Sequence, residues 1–209
     1  MRFAIHKLKK RAINLVSAMS DWAAFIGIIL IGGIGSSWYF VSAGTALTTQ
    51  VTGPWVMWTN EARSDADPYT RAHFARQATL NLSTKVASTF IARTDSDGVR
   101  LHSSCEYKIN GKDLNASWWS LSVFDASGHL IRNPIDRYAF TSDTVAISPN
   151  NEFVITLARS VQPGNWLPTT GAGRLTAVLL VLDGRNSSTI NPDEFQEISL
   201  PEINKVHCR

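Results

Sequence analysis

Residues 22–43 (WAAFIGIILIGGIGSSWYFVSA) carry no charged side chain, and this run constrains the chain more than any other feature. A bilayer core is crossed by a helix of about 20 mostly apolar residues. Backbone amides in lipid must bond within the segment, which makes the run helical despite Gly27, Gly32, Gly33 and Gly35. Trp22 at one end, and Trp38 with Tyr39 at the other, stand where interfacial aromatic anchors stand. The reading is a transmembrane helix over 22–43 behind a basic cytoplasmic segment over 1–21. A cleaved signal peptide competes with it. Such a peptide has an apolar region of about 7–15 residues, and Val41-Ser42-Ala43 is a poor small-x-small cleavage site. The longer run favours a retained anchor.

Charge gives the anchor a direction. Arg2, Lys7, Lys9, Lys10 and Arg11 all precede the run, opposed there only by Asp21, and basic flanks stay in the cytoplasm. In a bacterium the expected arrangement is a single pass through the inner membrane, against inner-membrane lipid, with the C-terminal domain in the periplasm. Of 20 basic and 17 acidic residues, the part beyond the helix keeps 15 and 16, so it is close to neutral. A nucleic-acid partner calls for basic residues clustered on the domain, and there is no such cluster. Gly32 and Ser36 have the small-xxx-small spacing at which two membrane helices approach closely, which makes them candidate helix-pairing residues.

Beyond the helix, 44–60 reads as a linker or first extended segment and 61–209 as the folded domain. Asp67 before Pro68 is a helix start, giving a short helix to about Gln77. After it the period changes. Val86 to Ala92 is rich in β-branched residues. Cys105, Tyr107 and Ile109 alternate with polar residues, which reads as a half-buried strand ending at Asn110-Gly111. Trp119, Leu121 and Val123 share one face of a strand that shows Trp118 on the other. Segments 145–147 and 152–158 flank Ser148-Pro149-Asn150-Asn151 as a hairpin, and LTAVLLVL over 175–182 is apolar on both faces, as in a central strand. Asn191-Pro192-Asp193-Glu194 reads as the cap of one helical turn, followed by an extended tail. The sum is an all-β fold, an antiparallel, jelly-roll-like β-sandwich with a short helix, preceded by one transmembrane helix.

Cys105 and Cys208 are the only cysteines, and in an oxidising compartment they make one candidate disulfide. A metal site wants three or four ligands, and the histidines are scattered, so no metal or cofactor is expected. Asp95 and Asp97 read as a turn rather than the start of a calcium loop. There is no Gly-x-Ser-x-Gly, no His-Glu-x-x-His, and no cysteine left over as a nucleophile. Asn81, Asn115 and Asn186 begin sequons that matter only in a eukaryotic secretory pathway.

Asp67-Pro68-Tyr69-Thr70-Arg71-Ala72, then Cys105-x-Tyr107-x-Ile109-x-Gly111, then Trp118-Trp119-Ser120-Leu121, then Pro163-Gly164-Asn165-Trp166-Leu167-Pro168 resemble the domain of unknown function 1214 family. The resemblance implies a bacterial β-sandwich that often accompanies a 1254-family domain. That companion is absent from this chain, so a separately encoded companion protein is an expected partner. Two roles follow. The first is a membrane-anchored periplasmic binding or accessory module. The second is a periplasmic hydrolase acting on a glycan or small ester. The candidate ligand-binding residues are Tyr107, Trp118, Trp119, Asn165 and Trp166, as aromatic platforms with a directed amide. Against this stands the reading that large aromatics in a β domain are core.

Overall fold

The computed structural model describes residues 2–77, 81–112, 114, 116–182 and 199–208. The chain divides into two compact units, Met1–Thr45 and Ala46–Arg209. The first is one helix, α1 (Arg2–Ala43), so the basic segment continues the same helix as the apolar run. At 1.5 Å per residue its 42 residues extend about 63 Å. Within it, Ser17–Ala43 is long and apolar enough to cross a membrane, a property it shares with signal sequences.

The second unit is mostly β and has two sheets. The strands are β1 (Thr49–Thr52), β2 (Trp55–Trp58), β3 (Ala87–Ala92), β4 (Cys105–Lys112), β5 (Trp118–Phe124), β6 (Ala139–Thr141), β7 (Glu152–Ala158), β8 (Asn165–Pro168), β9 (Thr176–Leu182) and β10 (Glu202–Cys208). One helix, α2 (Pro68–Gln77), lies between β2 and β3. Six strands make one sheet in the order β1-β2-β3-β9-β5-β6, and four make the other in the order β10-β4-β7-β8. The segment read as a linker or first extended segment supplies a hairpin, β1–β2, to the edge of the larger sheet.

Alternation fixes which residues meet between the sheets, because successive side chains on a strand point to opposite faces. From the larger sheet Trp55, Met57, Phe90, Trp119, Leu121 and Leu179 are buried, and from the smaller one Tyr107, Ile109, Phe153, Ile155, Leu157 and Ile203. These residues form one core, which makes the fold sandwich-like. The apolar segment at 175–182 is central as expected, with β9 paired to β3 on one side and β5 on the other.

Three local readings change. All pairings are antiparallel except β7 with β8, which run parallel in register Ile155 with Asn165. Residues 159–164 double back between them, and Gly164, at φ 77°, turns the chain into β8. The 145–147 segment is not a strand. Its Ala146 N–H and carbonyl are held instead by the Asn165 side chain, at 2.8 and 2.9 Å. Asn110-Gly111 does not end its strand, and β4 runs through it to Lys112. The expected helical turn at 191–194 and the sequons at Asn115 and Asn186 lie outside the described residues, as does Asp113.

Gly111 stays in the strand because an aromatic ring occupies the place of its side chain. A Cβ there would collide with Cζ of Phe153, its cross-strand partner. The far side of the Phe153 ring stacks on Trp119 of the other sheet, with centroids 4.8 Å apart at 26°. Two further links close the sandwich. Trp55 Nε1 donates to the Pro201 carbonyl at 2.7 Å, and Ile203 N–H donates to Ser96 Oγ at 2.9 Å. At the rim, Cys105 and Cys208 face each other across β4 and β10 and are disulfide-bonded over 103 residues of sequence. A bridge of this kind is worth about 2–4 kcal/mol through the unfolded state.

Gly111→Ala is expected to destabilise the domain by about 1–3 kcal/mol, the usual effect of overpacking. Urea denaturation checks this, and the effect should shrink when Phe153 is also shortened to Leu.

Candidate functional site

The residues singled out in the sequence do not assemble into one ligand platform. Trp119 is 4 % exposed and spent on the stack with Phe153. Trp118, its neighbour, points to the outer face of the larger sheet, half-buried, and donates from Nε1 to Asp143 at 3.1 Å. Tyr107 is fully buried. Its hydroxyl accepts the His102 N–H at 3.0 Å, and burial pushes its pKa above the usual tyrosine value. Trp166 is buried with Nε1 on the Ala158 carbonyl at 3.0 Å. Asn165 is also committed. Its amide N–H groups go to Ala146 and Val154, and its oxygen takes the Ala146 N–H. An amide with both donors used has little left for a ligand. On α1, Gly32 is open, and the Ser36 hydroxyl donates to the Gly33 carbonyl at 3.1 Å.

A recess of about 760 Å³ lies instead on the outer face of the four-stranded sheet. Glu106 and Lys108 reach it from β4, and Glu152 and Thr156 from β7, because each alternates with a core residue of its strand. Residues 146–150 wall one side and 162–164 another, with Asn165 in the wall between them. Both carboxylates are already engaged. Glu106 accepts from Gln162 Nε2 at 3.2 Å, and Glu152 pairs with Lys112 at 3.3 Å. Among the described residues, no aromatic ring lines the recess. The arrangement presents hydrogen-bonding groups of both signs over an exposed Ile147 and Val154, without a nucleophile held against a base.

A second polar centre is built around Glu61, which sequence reasoning passed over. Its side chain is 2 % exposed and hydrogen-bonded by Asn81 and Thr89, while its backbone carbonyl accepts the Thr84 N–H. Thr89 lies on the outer face of β3, so Glu61 fastens the segment between β2 and β3 to the outside of the larger sheet. The same segment carries α2, whose His73 stacks on Trp58 at 4.1 Å. Burial raises the Glu61 carboxyl from 4.5 to about 7, against the two hydrogen bonds. The available signal was its isolation, since Glu61 is the sole charge between Asp21 and Arg63.

Asp95 and Asp125 close two similar turns. The carboxylate of each accepts N–H groups two and four residues on, and Gly98 and Gly128 supply the positive φ. Oδ1 of Asp95 serves its turn, and Oδ2 is buried with no hydrogen-bond partner among the described residues. Among the described residues, no three His, Cys, Asp or Glu side chains gather as a metal site would require.

Residues 86–185 match a family model described as protein of unknown function, DUF1214. Among solved structures, the VPA0106 protein from Vibrio parahaemolyticus is similar in fold. Its TM-score is 0.54 at 21 % identity, covering 68 % of this chain and 36 % of that one. An uncharacterized protein from Burkholderia cenocepacia aligns at a TM-score of 0.45 and 14 % identity, over 76 % and 36 % of the two chains. The chain thus spans about a third of the length of each. No curated protein matches it.

The raised Glu61 carboxyl makes stability depend on pH in a definite sense. A folded-state pKa above the unfolded value means the native state binds the extra proton. Its contribution is full below pH 4.5 and is lost as pH rises through about 7. Wild type should therefore gain stability relative to Glu61→Gln on acidification from pH 7 to 4.5, by at most about 3 kcal/mol. Denaturant midpoints of the two proteins across that window check it. The hydrogen-bonded Asp65, Asp67 and Asp125 carboxyls, all lowered, act in the opposite sense and at more acid pH.

Proposed function

We propose that this chain, whose residues 86–185 match the DUF1214 family model, is a membrane-anchored binding or accessory module of a bacterial envelope. In this reading α1 spans the inner membrane with the N-terminus cytoplasmic, and the domain stands in the periplasm. The apolar length of Ser17–Ala43 and the basic residues that precede it support the anchor and its direction. Gly32 and Ser36 are the candidate contact if two such helices pair.

The observation that carries the binding role is the recess on the four-stranded sheet. It offers Glu106, Lys108, Glu152 and Thr156 on a sheet held in place by its own core, with apolar contact from Ile147 and Val154. Such a surface suits a polar segment of a partner protein, and a separately encoded 1254-family companion is the candidate. A sugar-binding site would ordinarily offer a ring to stack on, and the tryptophans lie elsewhere. The hydrolase reading gains no support from carboxylates already paired with Gln162 and Lys112.

A photo-crosslinking side chain at Ile147 of the full chain, activated in cells, is expected to capture one specific neighbour. Lys108→Glu should weaken that capture, and the same probe at Leu130, beyond β5, should capture nothing comparable. Equal adducts at both positions, or none at Ile147, would contradict the proposal.

A further inference from the structure

The first exposed charge after the helix comes late. From Trp22 to Asn60 the chain has no ionisable side chain other than Tyr39, and Glu61, which follows, is buried. For a membrane span this is required only up to Ala43. The next 17 residues build the β1–β2 hairpin at the edge of the six-stranded sheet and are free of charge as well. Edge strands exposed to water are commonly protected by lysine or other charges. Here the edge shows Leu47 at 90 % exposure and Val51 at 65 %, among threonine, glutamine and glycine.

The covalent chain limits where that edge can be. Five residues separate Ala43 from Thr49, and a chain of that length reaches at most about 20 Å. The headgroup layer beyond the hydrocarbon takes up about 5–8 Å of that on each side. Uncharged polar residues with single large apolar side chains suit this layer, where an apolar face sinks about 5–10 Å into the boundary of headgroups and acyl chains.

From these observations, and resting on the reading of α1 as a membrane anchor, we infer that the β1–β2 hairpin is a lipid-binding edge. Leu47 and Val51 insert among the headgroups of the outer leaflet of the membrane that holds α1. The hairpin then gives the domain an attachment to the bilayer of its own, beside the covalent one through α1.

The test uses the full chain in phosphatidylethanolamine–phosphatidylglycerol liposomes, with a fluorophore on single introduced cysteines. The native pair is disulfide-bonded and does not react. The positions are Leu47→Cys on the edge, Ile31→Cys in the helix, and Leu130→Cys toward the opposite edge of the same sheet. With lipids brominated near the headgroup, the Leu47 label is expected to lose emission while the Leu130 label keeps it. Lipids brominated near the bilayer centre should quench the Ile31 label and not the Leu47 label. Quenching at Ile31 with none at Leu47 would overturn the inference and leave the anchor standing. No quenching at either would overturn both. A Leu47 label shielded from aqueous iodide yet untouched by bromine would mean that protein covers the edge, and would also overturn it.

Discussion

A phenylalanine ring laid over a glycine, and stacked on a tryptophan from the opposite sheet, is the contact on which the domain depends. Phe153 fills the space where Gly111 has no side chain and meets Trp119 at 4.8 Å. In one place it sets the approach of β4 and β7 and the spacing of both strands to β5. Burying the two rings together adds aromatic contact to the ordinary gain from apolar burial. The outer faces of the sheets are positioned by what happens between them, since side chains alternate. With Tyr107, Ile109, Phe153, Ile155 and Leu157 drawn inward, Glu106, Lys108, Glu152, Val154 and Thr156 have to point out.

That division accounts for the difference between the aromatic residues prominent in the sequence and the surface available to a partner. Trp119, Trp166 and Tyr107 have their rings buried, and the Trp166 Nε1 and Tyr107 hydroxyl are hydrogen-bonded within the domain, so they shape it without facing anything outside it. The surfaces open to contact carry modest residues: a mixed-charge recess on one sheet, and an uncharged hairpin at the edge of the other. Glu61 belongs to neither. It fastens the cover of the larger sheet through Asn81 and Thr89, and its raised carboxyl makes that fastening sensitive to pH near neutrality.

Much of the fold was legible because half-buried strands write their period into the chain. Residues 105–110 and 118–124 alternate cleanly, 175–182 is apolar on both faces, and the Asp67-Pro68 pair starts a helix whose first turn Asp67 caps at Tyr69 and Thr70. The failures have a common cause, which is that a distant residue decided a local question. Asn110-Gly111 looks like the end of a strand until Phe153 is placed over it. Segment 145–147 looks like a strand until the Asn165 side chain takes its hydrogen bonds. Glu61 gives no local sign of its partners 20 and 28 residues away. The recess was invisible for the same reason, since β4 and β7 become neighbours only when the sheet forms.

The aromatic stack between the sheets holds the sandwich together. The most direct measurement is a double-mutant cycle with Trp119→Leu and Phe153→Leu, read by denaturant unfolding. The two substitutions are expected to be coupled by about 0.5–1.5 kcal/mol. Strictly additive losses, with no coupling, would contradict it.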